Sequence, residues 1–328
     1  MKQLNGLHHV TAITSSAENI YKFYTYILGM RLVKKNINQD DIHTYHLYFA
    51  DDRGNPGTNM TFFDFPNISK SQRGTNELSR TSFRVASDEA LTYWEKRLSH
   101  YEVIFETGLS YFGKKAILFE DFDGQRYAII SDEKNEGIPA GEPWHKGPVP
   151  DAYAIIGLGP VFIDVSDLSL THLVLTSVFG MRLTANEALL SLYEMGDGGN
   201  GGSIIVRENR DALDAVSGYG GVHHVAFRVD AKEDLMKWYR ELSEMGIASS
   251  GYVERFYFGS LYIRILPNIL FELATDGPGF IDDEETYDVL GEILTLPPHL
   301  RPKRSYIESQ IRSFDTVRSN KVFEKEIF

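Results

Sequence analysis

The stretch GLHHVTAI, residues 6–13, opens the chain, and GVHHVAFRV, residues 221–229, repeats its pattern in the last third. Both stretches alternate in the manner of a β-strand with one buried face. Neighbouring side chains of a strand point to opposite faces of the sheet, so one histidine of each pair can point inward while the other points away. A single histidine pair in a strand is usually a packing feature. The same pair at the same place in two repeats indicates a function.

The repetition extends to whole units of the order β-α-β-β-β. In the first unit, apolar residues follow helical spacing over residues 20–28, and Gly29 stands where a left-handed helix cap is expected. Strand-like stretches follow at residues 31–34, 44–50 and 59–63. The same order recurs three more times, with helices predicted at residues 88–99, 168–179 and 232–245. We assign the four units to residues 1–66, 79–133, 153–208 and 220–276.

A linker and a tail complete the predicted domain organisation. Residues 137–152 contain four prolines, which oppose regular structure, and we interpret this segment as the linker between two pairs of units. Residues 277–328 form a tail that repeats nothing. A short helix is predicted there at residues 304–311, and the acidic run at 282–285 is interpreted as a solvated helix start. The predicted fold class is α+β, with four βαβββ modules forming two half-barrels and a C-terminal tail.

The composition excludes several kinds of partner. The chain has 328 residues, of which 42% are hydrophobic and 24% charged, as in soluble globular proteins. A formal net charge of -13 opposes binding to phosphate backbones or anionic membranes. No apolar run approaches the roughly 20 residues that a membrane helix needs. We therefore expect a cytoplasmic protein that binds neither nucleic acid nor membrane, and homo-oligomer formation is left open. Because the chain has no cysteine, a bound metal must have nitrogen and oxygen ligands.

A single carboxylate in a buried strand suggests what such a metal site contains. Glu272 is the only charged residue of NILFELAT, residues 268–275. An ionised carboxylate buried without a partner costs several kcal/mol, so Glu272 calls for a cation or a hydrogen-bonding network. One carboxylate and two imidazoles suit Fe(II) or Mn(II), and they leave coordination positions open for substrate and dioxygen.

Several motifs together carry a resemblance to a known family. They are LHHVT at residues 7–11, YHLYFAD at 45–51, VHH at 222–224, RFYF at 255–258 and FE at 271–272. With these motifs, most of the chain resembles the vicinal oxygen chelate superfamily, and within it the ring-cleaving dioxygenases that act on hydroquinones. The resemblance implies a non-haem Fe(II) enzyme, with Mn(II) as the other metal considered. Such an enzyme opens hydroquinone-type or catechol-type rings with O2, in aromatic degradation or quinone detoxification.

The resemblance also assigns residues to roles. In that family the second histidine of each pair and the glutamate bind the metal, which places the ligands at His9, His224 and Glu272. The substrate pocket is assigned to His8, Thr11, His223, Arg255 and Tyr262. Thr11 fits independently, because it lies two residues beyond His9 on the same strand face. Alternation points His8 and His223 away from the metal unless a bulge turns the strand.

The implied ligand set restricts how the units can pair. His9 belongs to the first unit, whereas His224 and Glu272 belong to the fourth, so these two units must share one half-barrel. The second and third units then form the other. The second unit offers no rival metal site, because the aligned positions hold Arg80 and Ala128.

The expected roles leave two other functions open. Tyr262 or a neutral histidine is the expected base, and Arg255 is expected to hold negative charge. A glyoxalase-like lyase or isomerase would need a second carboxylate from the first unit, which residues 60–63 lack unless Asp64 reaches inward. A non-catalytic binder of a small aromatic toxin has no use for the histidines and glutamate in register. The glycine-rich GDGGNG, residues 196–201, is predicted to be a hairpin turn, because a strand rather than a helix follows it.

Overall fold

The first unit begins with the histidine strand and passes through one helical segment into three strands. The structure is a computed structural model that describes residues 3–281 and 284–328. The side chain of Ser16 caps the helix by accepting a hydrogen bond from the backbone N–H of Asn19. A wider π-type turn over Phe23–Ile27 extends the helix, and Gly29 follows with φ +65°. The elements are β1 (Leu7–Ile13), α1 (Ala17–Lys22), β2 (Arg31–Asn38), β3 (Asp41–Ala50) and β4 (Asn59–Phe63).

The second unit repeats this order with a longer helix. Ser87 caps the helix by accepting a hydrogen bond from the backbone N–H of Ala90. The helix buries Leu91, Trp94 and Leu98 at the spacing of one helix face. The elements are β5 (Glu77–Val85), α2 (Asp88–His100), β6 (Phe105–Tyr111), β7 (Lys114–Glu120) and β8 (Arg126–Ser131).

The third unit differs from the others in its first strand. Gly159 and Pro160 divide that strand in two, since proline has no N–H for the ladder. The glycine-rich turn at residues 196–201 lies between two paired antiparallel strands, so the hairpin prediction is confirmed. The elements are β9 (Ile155–Leu158), β10 (Val161–Val165), α3 (Leu168–Leu173), β11 (Arg182–Glu187), β12 (Leu190–Glu194) and β13 (Ser203–Glu208).

The fourth unit carries the second histidine pair. Its elements are β14 (Gly221–Val229), α4 (Lys232–Glu244), β15 (Val253–Glu254), β16 (Phe258–Leu266) and β17 (Ile269–Pro278). The tail contains one further helix, α5 (Arg304–Gln310). No helix of the described ranges is long and apolar enough to cross a membrane.

The units pair crosswise into two sheets of the same plan. Units one and four form a sheet of order β15-β16-β17-β14-β1-β4-β3-β2. Units two and three form the order β11-β12-β13-β10-β5-β8-β7-β6, with β9 paired to β5. In each sheet the first strands of the paired units run antiparallel at the centre, β1 against β14 and β5 against β10. The prediction of an α+β fold with four βαβββ modules in two half-barrels is confirmed.

The tail is attached to the first half-barrel through a buried ion pair. Nζ of Lys34 on β2 lies 2.9 Å from Oε2 of Glu285, and both side chains are fully buried. The prediction of a solvated acidic run is therefore wrong for Glu285, because a buried lysine needs a counter-charge close by. Glu284 is only 17% exposed and pairs with Arg304, so the prediction is wrong for this residue as well. Asp282 and Asp283 lie outside the described residues.

The two half-barrels are joined by packing and by one carboxylate. Asp123 of the second unit accepts hydrogen bonds from the Thr14 hydroxyl at 2.7 Å and from the Ser15 backbone N–H at 2.9 Å. Tyr24 of the first unit packs against Phe83 and Tyr127 of the second, each with ring centroids 6.1 Å apart. One continuous apolar core therefore spans both sheets.

Asp121, in the turn between β7 and β8, gives this junction a pH dependence. Its carboxylate accepts a hydrogen bond from the Tyr127 hydroxyl at 2.8 Å, and burial raises its pKa to about 7. The unfolded-state pKa is about 3.9, so the native protein retains a proton that the unfolded chain has released. This contribution to stability is present below about pH 4 and is lost as the pH rises through the folded pKa.

We expect Asp121→Asn to remove this loss. The free energy of unfolding of Asp121→Asn minus that of the wild type should increase by on the order of 2–4 kcal/mol when the pH is raised from 4 to 7.5. Urea unfolding at several pH values measures the difference. The exposed Asp211→Asn serves as the control, since it should give a constant offset. An Asp121→Asn offset that does not change with pH would contradict the assignment.

Candidate metal centre

Each histidine pair lies on a β-bulge. His8 has no partner opposite it in the ladder between β1 and β14, because its neighbours Leu7 and His9 face consecutive residues of β14. His223 is the corresponding unpaired residue on β14. A bulge changes the direction of the side chains around it, which is the condition under which both histidines of a pair can approach one site.

Three side chains with metal-ligating atoms converge next to these bulges. The ligand atoms of His9, His224 and Glu272 lie within 4.8 Å of one another, and all three residues are buried. Oε2 of Glu272 is 3.2 Å from Nε2 of His9 and 3.0 Å from Nε2 of His224. The two Nε2 atoms are 3.2 Å apart. The part of the chain that the structure describes contains no other cluster of this kind.

The first histidine of the β1 pair determines the tautomer of the second. Nε2 of His8 lies 3.1 Å from the carbonyl oxygen of Thr275, which only accepts, so this nitrogen carries a hydrogen. Burial, reinforced by His9, lowers the pKa of His8 to about 3, so the ring is neutral and its Nδ1 holds a lone pair. Nδ1 of His9, 2.9 Å away, therefore donates to it. In neutral His9 the remaining nitrogen, Nε2, is unprotonated and free to bind a metal.

The environment of Glu272 shows that these residues fit a cation. Burial alone would raise the pKa of Glu272, but positive charge on the imidazoles of His9 and His224 outweighs burial and holds that pKa well below its usual range. A metal ion between the three side chains would supply the same positive charge with both rings neutral. Oε2 receives no well-aligned hydrogen bond from any described group. A buried carboxylate oxygen facing an imidazole lone pair is unfavourable unless a cation lies between them. The donor set of two imidazoles and one carboxylate therefore fits a divalent metal ion.

A chain of hydrogen bonds leads from this cluster into β3. The Thr11 hydroxyl oxygen lies 2.9 Å from Nε2 of His224 and 2.7 Å from the Thr61 hydroxyl oxygen. The Thr61 oxygen is 3.0 Å from Nε2 of His46, whose Nδ1 is 2.7 Å from the Tyr48 hydroxyl. Burial lowers the pKa of His46 well below its usual value and raises the pKa of Tyr48 well above its own. Both side chains are therefore neutral at physiological pH.

A cavity of about 260 Å³ opens beside the cluster. Drug-sized ligands typically occupy pockets of roughly 300–1,000 Å³, so this volume suits a smaller molecule such as one substituted ring. The apolar part of its wall consists of Phe63, Phe65, Phe258 and Leu270. The polar part includes His9, His46, Tyr48, His223, His224, Arg255, Tyr262 and Glu272.

Arg255 bridges the mouth of the cavity. Its Nε donates to the Tyr262 hydroxyl at 3.2 Å, and its terminal nitrogen pairs with Asp40 at 2.9 Å. The Asp40 side chain is 72% exposed, so this ion pair lies at the solvent boundary. Burial, with the nearby Glu272, raises the pKa of Tyr262, so the phenol stays protonated near neutral pH. Tyr262 is therefore suited to donate a hydrogen bond rather than to act as a base.

The five predicted pocket residues separate into two groups. His223, Arg255 and Tyr262 line the cavity, whereas His8 contacts Nδ1 of His9 and Thr11 contacts Nε2 of His224 without lining the cavity. Alternation alone points His223 away from the cavity, and the bulge at this residue reverses that orientation.

Among the titratable residues that line the cavity, sequence reasoning missed His46, Tyr48 and Asp40. His46 and Tyr48 share one face of β3, so the alternation rule applied to YHLYFAD finds both once β3 is known to lie near β1. Asp40 stands in the turn before β3 and lines the cavity where it pairs with Arg255.

Asp64 does not supply the second carboxylate that a glyoxalase-like site would need. Its Oδ1 accepts a hydrogen bond from the backbone N–H of Tyr45 at 2.7 Å, and its Oδ2 lies 3.3 Å from Arg312 of the tail. The cluster at the cavity therefore contains a single carboxylate, Glu272.

Fold and sequence together define the class of protein. The family model described as the Glyoxalase/Bleomycin resistance protein/Dioxygenase superfamily matches residues 6–129 and 157–280, one pair of consecutive units in each match. The chain belongs to this superfamily.

Individual relatives narrow the comparison. The chain is 40% identical over 315 residues to "Putative ring-cleaving dioxygenase MhqA" of Bacillus subtilis (strain 168), covering 94% of this chain and 99% of the relative. It is 28% identical over 302 residues to "Chlorohydroquinone/hydroquinone 1,2-dioxygenase" of Sphingobium indicum, covering 90% and 92%. A crystal structure of a "putative dioxygenase" from Bacillus subtilis superposes with a TM-score of 0.87 at 33% identity, covering 97% of this chain and 99% of the other.

Proposed function

We propose that this protein is an Fe(II)-dependent dioxygenase that cleaves hydroquinone-type rings with O2. The observation that carries the proposal is the buried cluster of His9, His224 and Glu272, which opens onto a cavity of single-ring size with aromatic walls. The names of the relatives from Bacillus subtilis and Sphingobium indicum point to the same chemistry. A role in aromatic degradation or quinone detoxification follows from such a substrate.

The metal and the protein have separate tasks in this proposal. Fe(II) held by His9, His224 and Glu272, or Mn(II) in its place, would supply vacant coordination positions and redox chemistry for the two co-substrates. The protein positions the ring between Phe63, Phe65 and Phe258, which also exclude water. Fewer water molecules mean a lower local dielectric, in which the fixed charges of the site act more strongly.

The remaining polar residues handle protons and charge. A phenolic hydroxyl has a pKa of about 10, so the substrate must lose a proton to bind as its anion at neutral pH. His223 and His46 line the cavity as neutral imidazoles and can accept a hydrogen bond from that hydroxyl. Because burial makes both rings weak bases, the bound metal ion would supply most of the lowering of the hydroxyl pKa. Tyr262 can donate a hydrogen bond to the bound anion. Arg255 can stabilise negative charge at the same end of the cavity, because its guanidinium remains cationic.

The two other functions lack such support. A glyoxalase-like lyase needs a second carboxylate in the metal cluster, and Asp64 is turned toward the tail instead. In a non-catalytic binder, burying Glu272 next to two imidazoles would cost free energy and serve no function.

Oxygen consumption tests the proposal directly. Protein loaded with Fe(II) under anaerobic conditions should take up O2 when hydroquinone is added, and a chelator added during loading should abolish the uptake. Uptake with catechol but not with hydroquinone would retain the reaction class and refute the substrate. Metal-dependent turnover of a hemithioacetal without O2 uptake would refute the dioxygenase and favour the glyoxalase-like function.

A further inference from the structure

The second half-barrel has a cation at the place where the first has a metal-ligating histidine. Arg80 on β5 lies opposite Phe162 of β10, just as His9 on β1 lies opposite Ala226 of β14. Ala128, the other aligned position, is buried in an apolar cluster that fills the inner face of this sheet. The second half-barrel therefore has positions equivalent to those of the candidate metal cluster, but they hold no metal-ligating side chains.

A separate cavity of about 220 Å³ opens at Arg80. Arg126, Arg207 and Asp164 also line it, so three guanidinium groups and one carboxylate surround a small volume in a chain of net charge -13. Such a local concentration of positive charge attracts anions against the overall field of the protein.

Two of these three arginines already have carboxylate partners. Nε of Arg207 lies 3.2 Å from Oδ1 of Asp164, which also accepts a hydrogen bond from the Ser79 hydroxyl at 3.0 Å. Arg126 lies 3.4 Å from Glu120, and both side chains are substantially exposed. The carboxylates near the cavity are therefore engaged by groups other than Arg80.

Arg80 itself is half-buried and has no carboxylate partner among residues 3–281 and 284–328. One terminal nitrogen of Arg80 donates a hydrogen bond to the neutral carbonyl oxygen of Tyr127 at 2.8 Å. Burial lowers its pKa, and the nearby Arg126 and Arg73 lower it further while Tyr111 and Glu120 oppose them. The guanidinium of Arg80 is partly withdrawn from water and has cations among its neighbours. An added anion therefore interacts with it more favourably than with an exposed guanidinium.

The opposite wall of the cavity is apolar. Phe162 is buried, Leu190 packs against the same cluster, and the ring of Tyr111 meets that of Phe162 edge-on with centroids 4.9 Å apart. A ligand that fills the cavity therefore needs both a charged group and an apolar body.

We propose that this cavity binds a small organic carboxylate, with the carboxylate on Arg80 and the apolar body against Phe162. The planar fork of a guanidinium matches the two oxygens of a carboxylate. The site lies in the second half-barrel and does not depend on the function proposed for the metal cluster.

Calorimetric titration of the full chain with sodium benzoate tests this site. We expect saturable binding that Arg80→Met weakens at least about tenfold, the loss typical of one charge-assisted hydrogen bond. Arg126→Gln, on the exposed rim, should weaken binding less. Arg255→Gln, which removes the cation of the other cavity, should leave benzoate affinity unchanged. Acetate should bind more weakly than benzoate, because it lacks the ring that packs against Phe162.

Several outcomes would overturn the proposal. Benzoate binding that survives Arg80→Met but disappears in Arg255→Gln would place the ligand in the cavity beside the metal cluster. Acetate and sulfate binding as tightly as benzoate would indicate a general anion site. Thermal melts of each variant establish that it is folded. If Arg80→Met does not fold, the smaller weakening expected of Arg126→Gln provides the second measurement, and unchanged affinity in Arg126→Gln would then contradict the proposal.

Discussion

Glu272→Gln is expected to abolish metal retention and oxygen uptake with hydroquinone. The substitution removes the only carboxylate of the cluster while its side-chain oxygen can still accept the hydrogen bond that the Ser260 hydroxyl donates to Oε1 at 2.6 Å. The loss should exceed the roughly 10–100-fold effect of removing an outer hydrogen bond to a metal ligand, because a ligand and its charge are both lost.

Stability of the metal-free protein should fall as well. The pKa of the buried Glu272 lies well below its usual range because His9 and His224 stabilise its ionised form, and the amide loses this interaction. Above the unfolded-state pKa of about 4.3, the metal-free variant should therefore melt below the temperature of the metal-free wild type. Elemental analysis, an oxygen electrode and thermal melts together test this prediction, with the exposed Glu244→Gln as the matched control. A folded Glu272→Gln protein that keeps stoichiometric metal and full turnover would refute the ligand assignment.

His8→Leu is expected to weaken metal binding by about 10–100-fold without removing any candidate ligand. Nδ1 of His8 accepts a hydrogen bond from Nδ1 of His9 at 2.9 Å. The Thr275 carbonyl oxygen, 3.1 Å from Nε2 of His8, fixes the orientation of the His8 ring. Leucine cannot accept this hydrogen, so the His9 ring loses the contact that keeps its Nε2 unprotonated.

Titration with Mn(II) followed by electron paramagnetic resonance measures the affinity without requiring turnover. His8→Gln should recover part of the loss, because its amide oxygen can accept a hydrogen bond. His43→Leu changes an exposed histidine of β3 and should have no effect. Equal Mn(II) affinities in the wild type and His8→Leu would show that the tautomer is set by another contact.

Some parts of the site follow from local rules. Alternation along a strand puts Thr11 on the same face as His9, and the single charge of NILFELAT identifies Glu272 as a residue that needs a partner. Other parts depend on contacts between distant segments. The Lys34–Glu285 ion pair joins residues 251 positions apart, so the acidic run alone gives no sign that Glu285 is buried. The cavity at Arg80 likewise requires β5 and β10 to lie side by side.

By itself, the amino-acid sequence determined the four βαβββ units, the composition of the apolar strands and the candidate ligand types, because hydrophobic period and charge are properties of each segment. Only the tertiary structure decided which residue of each histidine pair is the bulge, how Thr275 and His8 orient His9, and which carboxylates become buried. These outcomes depend on the register between strands that are more than 200 residues apart in the sequence. A single residue left unpaired at a bulge changes the direction of the side chains beside it.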